Sequence, residues 1–224
     1  MIDFKLSEAV ELAQASLFGS DMVIHSVSTD SRNCKGALFI ALAGDKFDGH
    51  DFIAKAIENG ACAIALSKDV PCNIPYVKCN DTLRFLGICS LCVRRKCKGF
   101  VVSLTGSCGK TTVKEYTSKI LSLCGKTVAT FGNYNNDVGV PLTLLNLTLD
   151  TDYAVIEQGA SHPQDIARTS EFVEAQVALI NNVGGAHLEG FGSYEGIYKG
   201  KSEILDSVFS RGGVGIVCAD SPWF

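Results

Sequence analysis

The chain lacks several features that would assign it to a class at once. It has no run of ~18 apolar residues that could cross a bilayer as a helix. Its N-terminus, Met1–Glu8, carries acidic residues where a secretory signal needs a basic start and an apolar core. It has no excess of basic charge, since the formal net charge is −4, and repeats and low-complexity segments are absent. These absences predict a cytoplasmic globular protein without a membrane span and without a nucleic-acid partner.

The composition favours packed domains with reduced thiols. The chain has 224 residues, of which 46% are hydrophobic and 20% charged, enough for one large domain or two modest ones. The ten cysteines are expected to be free and to pack as small apolar side chains. Cys89, Cys92 and Cys97 fall in a helical stretch without a nearby histidine, which argues against a zinc site. The basic side chains from Arg94 to Lys98 are interpreted as a solvated helix terminus.

Hydrophobic periodicity divides the chain into two blocks. The first block, residues 1–98, mixes helical patterns with short extended runs; the helices are predicted at 6–16, 51–59 and 82–96, and the extended runs at 23–29, 38–42 and 61–66. The second block, residues 99–224, alternates regularly; strands are predicted at 100–104, 126–130, 153–157, 177–181 and 214–218. We therefore predict a small mixed α/β N-terminal domain followed by a P-loop, mostly parallel, doubly wound central domain. The last strand has no closing helix, so this second domain is expected to be incomplete.

The most specific motif follows the strand predicted at 100–104. A turn of sequence Thr105-Gly106-Ser107-Cys108-Gly109-Lys110-Thr111-Thr112 leads directly into a helical pattern. That order places backbone N–H groups at a helix N-terminus, where free donors and the helix dipole favour an anion. Lys110 would reach the β- and γ-phosphates of a nucleoside triphosphate, and the Thr111 hydroxyl would ligate Mg²⁺. The turn departs from the standard G-x-x-x-x-G-K-[ST] pattern only in carrying Leu104 at the first glycine.

Polar residues also follow the other strands predicted in the second block. Glu157 ends one of them, where the Mg²⁺ of a bound nucleotide expects a carboxylate. Asn133 and Asn136 follow another, and their amides suit either polar ligands or a plain turn. His187 follows a third and is as much a candidate metal ligand as a structural residue.

Two lysines follow His187 on the next predicted helix. From sequence alone, Lys199 and Lys201 are interpreted as solvated helix lysines. A lysine fits a metal site only when its amine is modified, for example to a carbamate, which carries negative charge and two oxygens.

Two loops of the first block are rich in hydrogen-bonding groups. One contains Ser31 and Arg32, and Arg32 is suited to grip a phosphate with its guanidinium fork. The other, residues 44–52, contains Gly49 and His50. Both loops are candidate contacts for an anion or a sugar.

Taken together and in this order, the motifs resemble the Mur ligases of peptidoglycan synthesis, most closely the MurF type. T-D-S-R at 29–32 and G-A-L-F-I-A-L-A-G-D-K-F-D-G-H-D-F at 36–52 look like the uridine-nucleotide domain shared by the MurE and MurF types. T-G-S-C-G-K-T-T-V-K-E at 105–115 is similar to the ligase P-loop. G-N-Y-N-N-D-V-G-V-P-L-T-L-L at 132–145 and A-H-L-E-G-F-G-S at 186–193 point to the MurF type.

The resemblance implies an activity, its cofactors and its partners. A MurF-type ligase adds D-alanyl-D-alanine to UDP-N-acetylmuramoyl-tripeptide, using ATP and Mg²⁺ and passing through an acyl phosphate. By this resemblance Thr111 and Glu157 hold one Mg²⁺, while His187 and a carbamylated Lys201, with Lys199 as the fallback, hold a second. The implied ATP-binding residues are Thr105, Gly106, Ser107, Cys108, Gly109, Lys110, Thr111, Thr112, Asn133 and Asn136. The implied catalytic residues are Lys110, Glu157, His187 and Lys201, and the implied uridine-nucleotide contacts are Ser31, Arg32, Gly49 and His50.

Two departures from the family pattern shape the expectations. The family continues into a C-terminal domain that this sequence does not contain, so we expect a monomer that ligates nothing by itself. Cys108 stands where a small residue without a thiol is usual, and a thiol at a helix N-terminus is expected to be reactive. The alternatives are a module that binds nucleotide or UDP-sugar without ligating, a folylpolyglutamate synthase, and an ordinary P-loop kinase or GTPase. The uridine-type block argues against the synthase, and the Asn-rich loop and the His187 motif have no role in a kinase or GTPase.

Overall fold

A computed structural model describes residues 1–44 and 47–223 of the chain. Asp45 and Lys46, which belong to the loop predicted at 44–52, lie outside the described residues. The chain divides into two compact units, Met1–Val93 and Arg94–Phe224, whereas the sequence predicts a boundary after residue 98. Across the described part of the chain, no helix combines the length and apolar character that a membrane crossing requires.

The first unit is a mixed sheet with short helices. In chain order its elements are β1 (Phe4–Lys5), α1 (Leu6–Ala13), β2 (Ser16–Phe18), β3 (Val23–Ile24), β4 (Val27–Ser28), β5 (Leu38–Ile40), β6 (Ala43–Gly44), β7 (Phe47–Asp48), a 3-10 turn (Gly49–Phe52), α2 (Ile53–Glu58), β8 (Ala63–Leu66), β9 (Tyr76–Lys78) and α3 (Thr82–Lys96), which runs on into the second unit. The main sheet has the order β2-β9-β8-β5-β4, with β2 antiparallel to β9 and the other pairs parallel. β1 pairs with β3 and β6 with β7, both antiparallel.

The core of the first unit lies around β5 and β8, whose residues are all buried. Continuous burial is typical of parallel strands covered on both faces. Phe39 and Ile64 of these strands belong to one apolar cluster with Ile53 and Ala56 of α2. The core therefore fixes β5, and β4, which pairs with β5, leads directly into the polar loop at 29–32.

The second unit is a parallel sheet with helical crossovers. Its elements are β10 (Phe100–Thr105), α4 (Lys110–Leu121), β11 (Thr127–Ala129), α5 (Gly139–Leu144), β12 (Tyr153–Glu157), α6 (Asp165–Val173), β13 (Val177–Ile180), α7 (Leu188–Phe191), α8 (Tyr194–Phe209) and β14 (Val214–Val217). The strand order is β11-β12-β10-β13-β14, and every pair is parallel. The chain order reverses direction at β10, so a crevice forms at the carboxyl ends of β10 and its neighbours, where ligands bind in such sheets. The predicted fold class is confirmed.

The basic end of α3 differs from the prediction. Arg94 is only 6% exposed, and its guanidinium donates hydrogen bonds to the carbonyl oxygens of Val173, Glu174 and Cys97. The last carbonyls of a helix have no intrahelical partner and carry partial negative charge, so the guanidinium stabilises the end of α6. The interpretation as a solvated terminus is wrong for Arg94, although Lys98 is exposed as predicted.

Candidate active site

The phosphate-binding loop lies between the end of β10 and the start of α4. Gly109 precedes the helix with φ +72°, a left-handed conformation that favours glycine. α4 then begins at Lys110, and the N–H groups of its first turn have no intrahelical acceptor. Thr105 ends the strand with a buried hydroxyl that has no hydrogen-bond partner within 1–44 and 47–223. The predicted turn therefore forms the anion-binding geometry expected from its sequence.

Two asparagines after β13 hold this loop in place. The Asn182 side-chain oxygen accepts hydrogen bonds from the backbone N–H groups of Ser107 at 3.1 Å and Cys108 at 3.0 Å. The side-chain amides of Asn181 and Asn182 donate to the Cys108 carbonyl, each at 2.9 Å. Ser107 also bonds Gly184 through its hydroxyl. Sequence reasoning missed both asparagines, although paired amides at the end of a strand next to the P-loop strand are a usable signal.

Lys110 and Lys201 converge on one carbonyl of the loop. The Lys110 ammonium donates to the Gly106 carbonyl at 2.8 Å, and the Lys201 ammonium, from α8, donates to it at 3.2 Å. Lys201 is 1% exposed, and burial together with the Lys110 charge lowers its pKa to about 8. Lys199 instead lies at the surface and pairs with Glu195 at 2.7 Å. The interpretation as a solvated helix lysine is therefore wrong for Lys201, which is buried beside the P-loop, and right for Lys199.

Glu157 joins β12 to the P-loop helix. It is 1% exposed, and its carboxylate accepts hydrogen bonds from the Thr111 hydroxyl at 3.1 Å and from the Asn135 amide at 2.7 Å. Its backbone N–H donates to the Thr130 hydroxyl at 2.9 Å. A carboxylate beside a hydroxyl forms the hard-oxygen donor set that Mg²⁺ prefers, with phosphate and water oxygens completing the shell. The predicted pair Thr111 and Glu157 therefore fits a magnesium ion.

No group of three or more His, Cys, Asp or Glu side chains converges as a metal site in the described part of the chain. The predicted second metal set is spread out, because His187 is exposed at the start of α7 while Lys201 is buried at Gly106. The structure therefore shows no completed second site from these two residues.

A polar cavity of about 470 Å³ opens beside Lys110. Its lining residues are Lys110, Asn135, Asn136, Asp137, Gly159, Ala160, Ser161, His162, Asp165 and His187. Asn136 also caps α5 by accepting the Gly139 N–H at 2.8 Å. Gly159 donates its N–H to the Asn135 carbonyl at 2.8 Å, and a Cβ at Gly159 would lie 2.6 Å from the Asn135 side chain. Asn135, which the sequence prediction passed over in favour of Asn133 and Asn136, is the amide that contacts Glu157.

Three further residues predicted to bind ATP, Cys108, Thr112 and Asn133, are exposed. Thr112 lies in the first turn of α4. Asn133 is not among the residues that line the cavity, and it accepts the Asn135 N–H through its carbonyl at 2.8 Å.

The first unit carries a separate cavity of about 540 Å³. Its lining residues are Thr29, Asp30, Ser31, Arg32, Phe39, Phe47, Phe52 and Lys55. The Phe47 and Phe52 rings stack with centroids 5.1 Å apart. Arg32 grips Asp30 through two hydrogen bonds, at 2.9 Å and 2.8 Å, and these bonds lower the pKa of Asp30 to about 2. The cavity thus combines aromatic walls with one guanidinium.

Gly49 and His50 are not among the residues that line this cavity. The His50 ring bonds Asp48 through Nδ1 at 2.6 Å and accepts the Ser67 N–H at Nε2 at 2.9 Å. Both ring nitrogens are therefore occupied within the unit. A Cβ at Gly49 would lie 2.6 Å from the Leu42 carbonyl oxygen, which explains the glycine. Of the four predicted contacts, Ser31 and Arg32 line the cavity, whereas Gly49 and His50 contact neighbouring segments of the same unit.

Comparisons with known proteins agree with these two units. Residues 104–224 match the Mur ligase middle domain, and residues 23–92 match the catalytic domain of the Mur ligase family. The UDP-N-acetylmuramoyl-tripeptide--D-alanyl-D-alanine ligase of Escherichia coli (strain K12) is 45% identical over 222 residues, which are 99% of this chain and 49% of that protein. The crystal structure of MurF from Acinetobacter baumannii superimposes with a TM-score of 0.92 at 36% identity, covering 99% of this chain and 50% of that one.

A further similar structure is a nucleotide complex. The MurF ligase from Thermotoga maritima in complex with ADP gives a TM-score of 0.82 at 34% identity, covering 87% of this chain and 46% of that one. The chain spans about half the length of the curated relatives it matches. The middle-domain match alone extends over more than half of the chain, and the chain therefore belongs to the Mur ligase family.

Proposed function

We propose that this chain supplies the nucleotide-binding and UDP-substrate-binding units of a MurF-type ligase. The reaction joins D-alanyl-D-alanine to UDP-N-acetylmuramoyl-tripeptide with ATP, in peptidoglycan precursor synthesis in the cytoplasm. The observation that carries the proposal is the contact of Thr111 with Glu157 at 3.1 Å, next to Lys110 of the P-loop. The relatives named as MurF, one of them in complex with ADP, support the choice of substrates and nucleotide.

The chemistry suits the charges of the site. A carboxylate is a poor electrophile, so an oxygen of the terminal carboxylate of the tripeptide attacks the γ-phosphorus of ATP. ADP leaves, and the carboxylate becomes an acyl phosphate. The dipeptide amine attacks that carbonyl carbon, and inorganic phosphate leaves. Lys110 would exchange the Gly106 carbonyl for the phosphates and offset their charge. Thr111 and Glu157 would hold Mg²⁺, which when bound neutralises charge on the phosphate oxygens.

The polar cavity beside Lys110 is the proposed place for the reacting carboxylate. Its walls carry the amides of Asn135 and Asn136, the hydroxyl of Ser161 and the ring of His162. These groups can donate hydrogen bonds to a peptide carboxylate and to its neighbouring amides. Asn135 belongs to both the cavity and the Glu157 contact, so it would link substrate position to metal position.

Lys201 is the proposed carbamate. With its pKa lowered to about 8, roughly a tenth of the amine is neutral at pH 7, far more than for an ordinary lysine. A neutral amine adds to CO₂ with loss of one proton, and the resulting carbamate would place a negative charge beside Lys110. With His187 it would then serve a second Mg²⁺, while Lys199, paired with Glu195 at the surface, would not.

The cavity of the first unit is the proposed uridine-nucleotide site. Phe47 and Phe52 offer faces for the base, and Arg32 offers a planar fork for the diphosphate. Ser31 lines the same cavity, whereas Gly49 and His50 would act by holding the loop that carries Phe47. We propose that the chain acts as a monomer.

Calorimetric titration of the 224-residue chain tests both units separately. ATP with Mg²⁺ and UDP-N-acetylmuramoyl-tripeptide are each expected to bind, and binding of one is measured in the absence of the other. Absence of ATP binding would contradict the nucleotide assignment. Release of phosphate that requires both the UDP substrate and D-alanyl-D-alanine would show ligation by this chain, whereas binding without such release would identify a binding module.

A further inference from the structure

Lys114 is a buried lysine for which the reaction has no obvious use. It lies on α4, one turn after Lys110, and is 0% exposed. Its ammonium donates to the carbonyl oxygens of Thr130 at 2.7 Å and Gly132 at 3.2 Å, and pairs with the Glu115 carboxylate at 2.8 Å. A buried ammonium is costly unless its hydrogen bonds are satisfied. A lysine at this position therefore serves to hold the two carbonyls.

The two carbonyls belong to the segment that leads from β11 into the Asn-rich loop, residues 132–137. Thr130 follows β11 directly, and its backbone N–H donates to the Val155 carbonyl on β12 at 3.0 Å. Its hydroxyl accepts the backbone N–H of Glu157 at 2.9 Å. Thr130 thus touches both Lys114 and the residue proposed to hold the metal.

The Asn-rich loop also contacts Glu157, through its residue Asn135. Asn135 donates to the Glu157 carboxylate at 2.7 Å, and its carbonyl accepts the Gly159 N–H at 2.8 Å. The Glu157 carboxylate in turn meets the Thr111 hydroxyl on α4. Thr111 and Lys114 stand three residues apart, on one face of the same helix. α4 therefore grips Glu157 directly through Thr111 and indirectly through Lys114.

We propose that Lys114 is a positioning residue that fixes the 130–137 segment against α4 and so holds the Glu157 carboxylate at the Thr111 hydroxyl for the Mg²⁺ of a bound nucleotide. The proposal rests on the nucleotide assignment above and adds a residue that touches neither nucleotide nor metal. A methionine of similar length would leave both carbonyls without their donor. The segment would then shift away from α4, and the carboxylate would lose its fixed position.

The test compares ATP affinity of the 224-residue chain in Mg²⁺ and in EDTA. We expect Lys114→Met to weaken ATP binding in Mg²⁺ by about tenfold, the range seen when outer-shell partners of metal ligands are removed. In EDTA the affinity should stay near that of the native chain, because the P-loop itself is intact. Lys119→Met, an exposed lysine on the same helix, is the matched control and should change neither affinity.

A double-mutant cycle separates positioning from general damage. Glu157→Gln should remove the increase in ATP affinity that Mg²⁺ gives. Adding Lys114→Met to Glu157→Gln should cause no further loss of affinity, since both substitutions act on one carboxylate. Equal losses in Mg²⁺ and in EDTA, unchanged affinity in Mg²⁺, or losses that multiply in the double variant would each overturn the proposal.

If Lys114→Met does not fold, a second pair of variants, at Thr130, tests the same link to Glu157. Thr130→Val keeps the shape of the side chain but removes the hydroxyl that accepts the Glu157 N–H, while Thr130→Ser keeps that acceptor. The valine variant should lose the Mg²⁺-dependent gain and the serine variant should keep it. If both variants keep the gain, the link through Thr130 is wrong.

Hydrogen exchange in the nucleotide-free chain makes the proposal independent of ligand binding. The Glu157 amide should exchange faster in Lys114→Met, or in Thr130→Val, than in Lys119→Met. An unchanged rate would overturn the positioning role. If the native chain binds no ATP while Lys114→Met still shows this faster exchange, the nucleotide assignment is wrong and the positioning role of Lys114 stands.

Discussion

The two candidate sites both lie on five-stranded sheets, but they differ in how far their charged side chains are buried. In the second unit Lys201 and Glu157 are buried, and both are hydrogen-bonded. Lys201 donates to the Gly106 carbonyl, which also accepts from the half-buried Lys110, and Glu157 accepts from the Thr111 hydroxyl. In the cavity of the first unit Arg32 has 85% of its side chain exposed and forms an ion pair with Asp30, two residues before it. Buried charges are held in one geometry at a cost in desolvation, whereas an exposed pair adapts readily. The comparison indicates a preorganised arrangement of charged side chains in the candidate site of the second unit and a more adaptable arrangement in the cavity of the first.

The largest expected effect separates the ligands of the two units. Lys110→Met should weaken ATP binding by roughly ten- to a hundredfold, because a charge-assisted contact contributes about 1.5–3 kcal/mol. Binding of UDP-N-acetylmuramoyl-tripeptide should stay unchanged in the same calorimetric series. A matching fall in both affinities would show that the two cavities do not act separately.

The buried charge of Lys201 should make stability depend on pH. Its pKa is lowered from 10.5 to about 8, so between these values the unfolded chain binds more protons and stability rises with pH. The full gain is roughly 3 kcal/mol, absent below about pH 8 and complete near pH 10.5. Urea unfolding of native chain and Lys201→Met, in CO₂-free buffer, measures the difference.

Lys199→Met is the control for this titration, since Lys199 is exposed and its pKa is raised by Glu195. It should reproduce the native pH profile. If Lys201→Met keeps the same rise of stability with pH as the native chain, the buried lysine is not its source.

The exposed Arg32 of the first unit should affect the affinity for the UDP substrate much more than the stability of the fold. Arg32→Ala should weaken binding of the UDP substrate by about tenfold through loss of charge-assisted hydrogen bonds. The free energy of unfolding should stay close to that of the native chain, because solvent screens an exposed ion pair. Lys35→Ala, exposed in the same unit, is the control for general charge effects. A large loss of stability would mean that Arg32 supports the fold instead.

The smallest effect concerns the exposed thiol of the P-loop. In a Cys124→Ser background, which removes the other exposed thiol, alkylation of Cys108 should weaken ATP binding by about three- to tenfold, equivalent to loss of one ordinary hydrogen bond. Cys108→Ser should bind ATP normally and be insensitive to the reagent. Unchanged affinity after complete alkylation would show that the thiol points away from the nucleotide.

Local sequence pattern predicted the regular elements well. The bounds of α3 and β12 agree with those expected at 82–96 and 153–157, whereas α4 begins at Lys110, inside the turn predicted at 105–112. β2 and β9 were missed because each has three residues, too few for an alternation to show. α7, of four residues directly after His187, was missed for the same reason.

The candidate site divides along similar lines. The P-loop and Glu157 were found because each stands at a strand end with a recognisable chemical type. Asn135 and Lys114 were not assigned, because their roles depend on which carbonyl or carboxylate the fold brings within 3 Å. Arg94 was misjudged for the same reason, since its acceptors lie about 80 residues further along the chain.

The sequence by itself determined the order of the elements, the P-loop and the Mur ligase resemblance, because these depend on neighbouring residues and on their spacing. Only the tertiary structure decided which polar groups are buried and which groups they form hydrogen bonds with. It placed Lys201 beside the P-loop and Lys199 at the surface, although the two lysines stand two residues apart. On a helix that spacing turns the side chains to different faces, and only packing decides which face is buried.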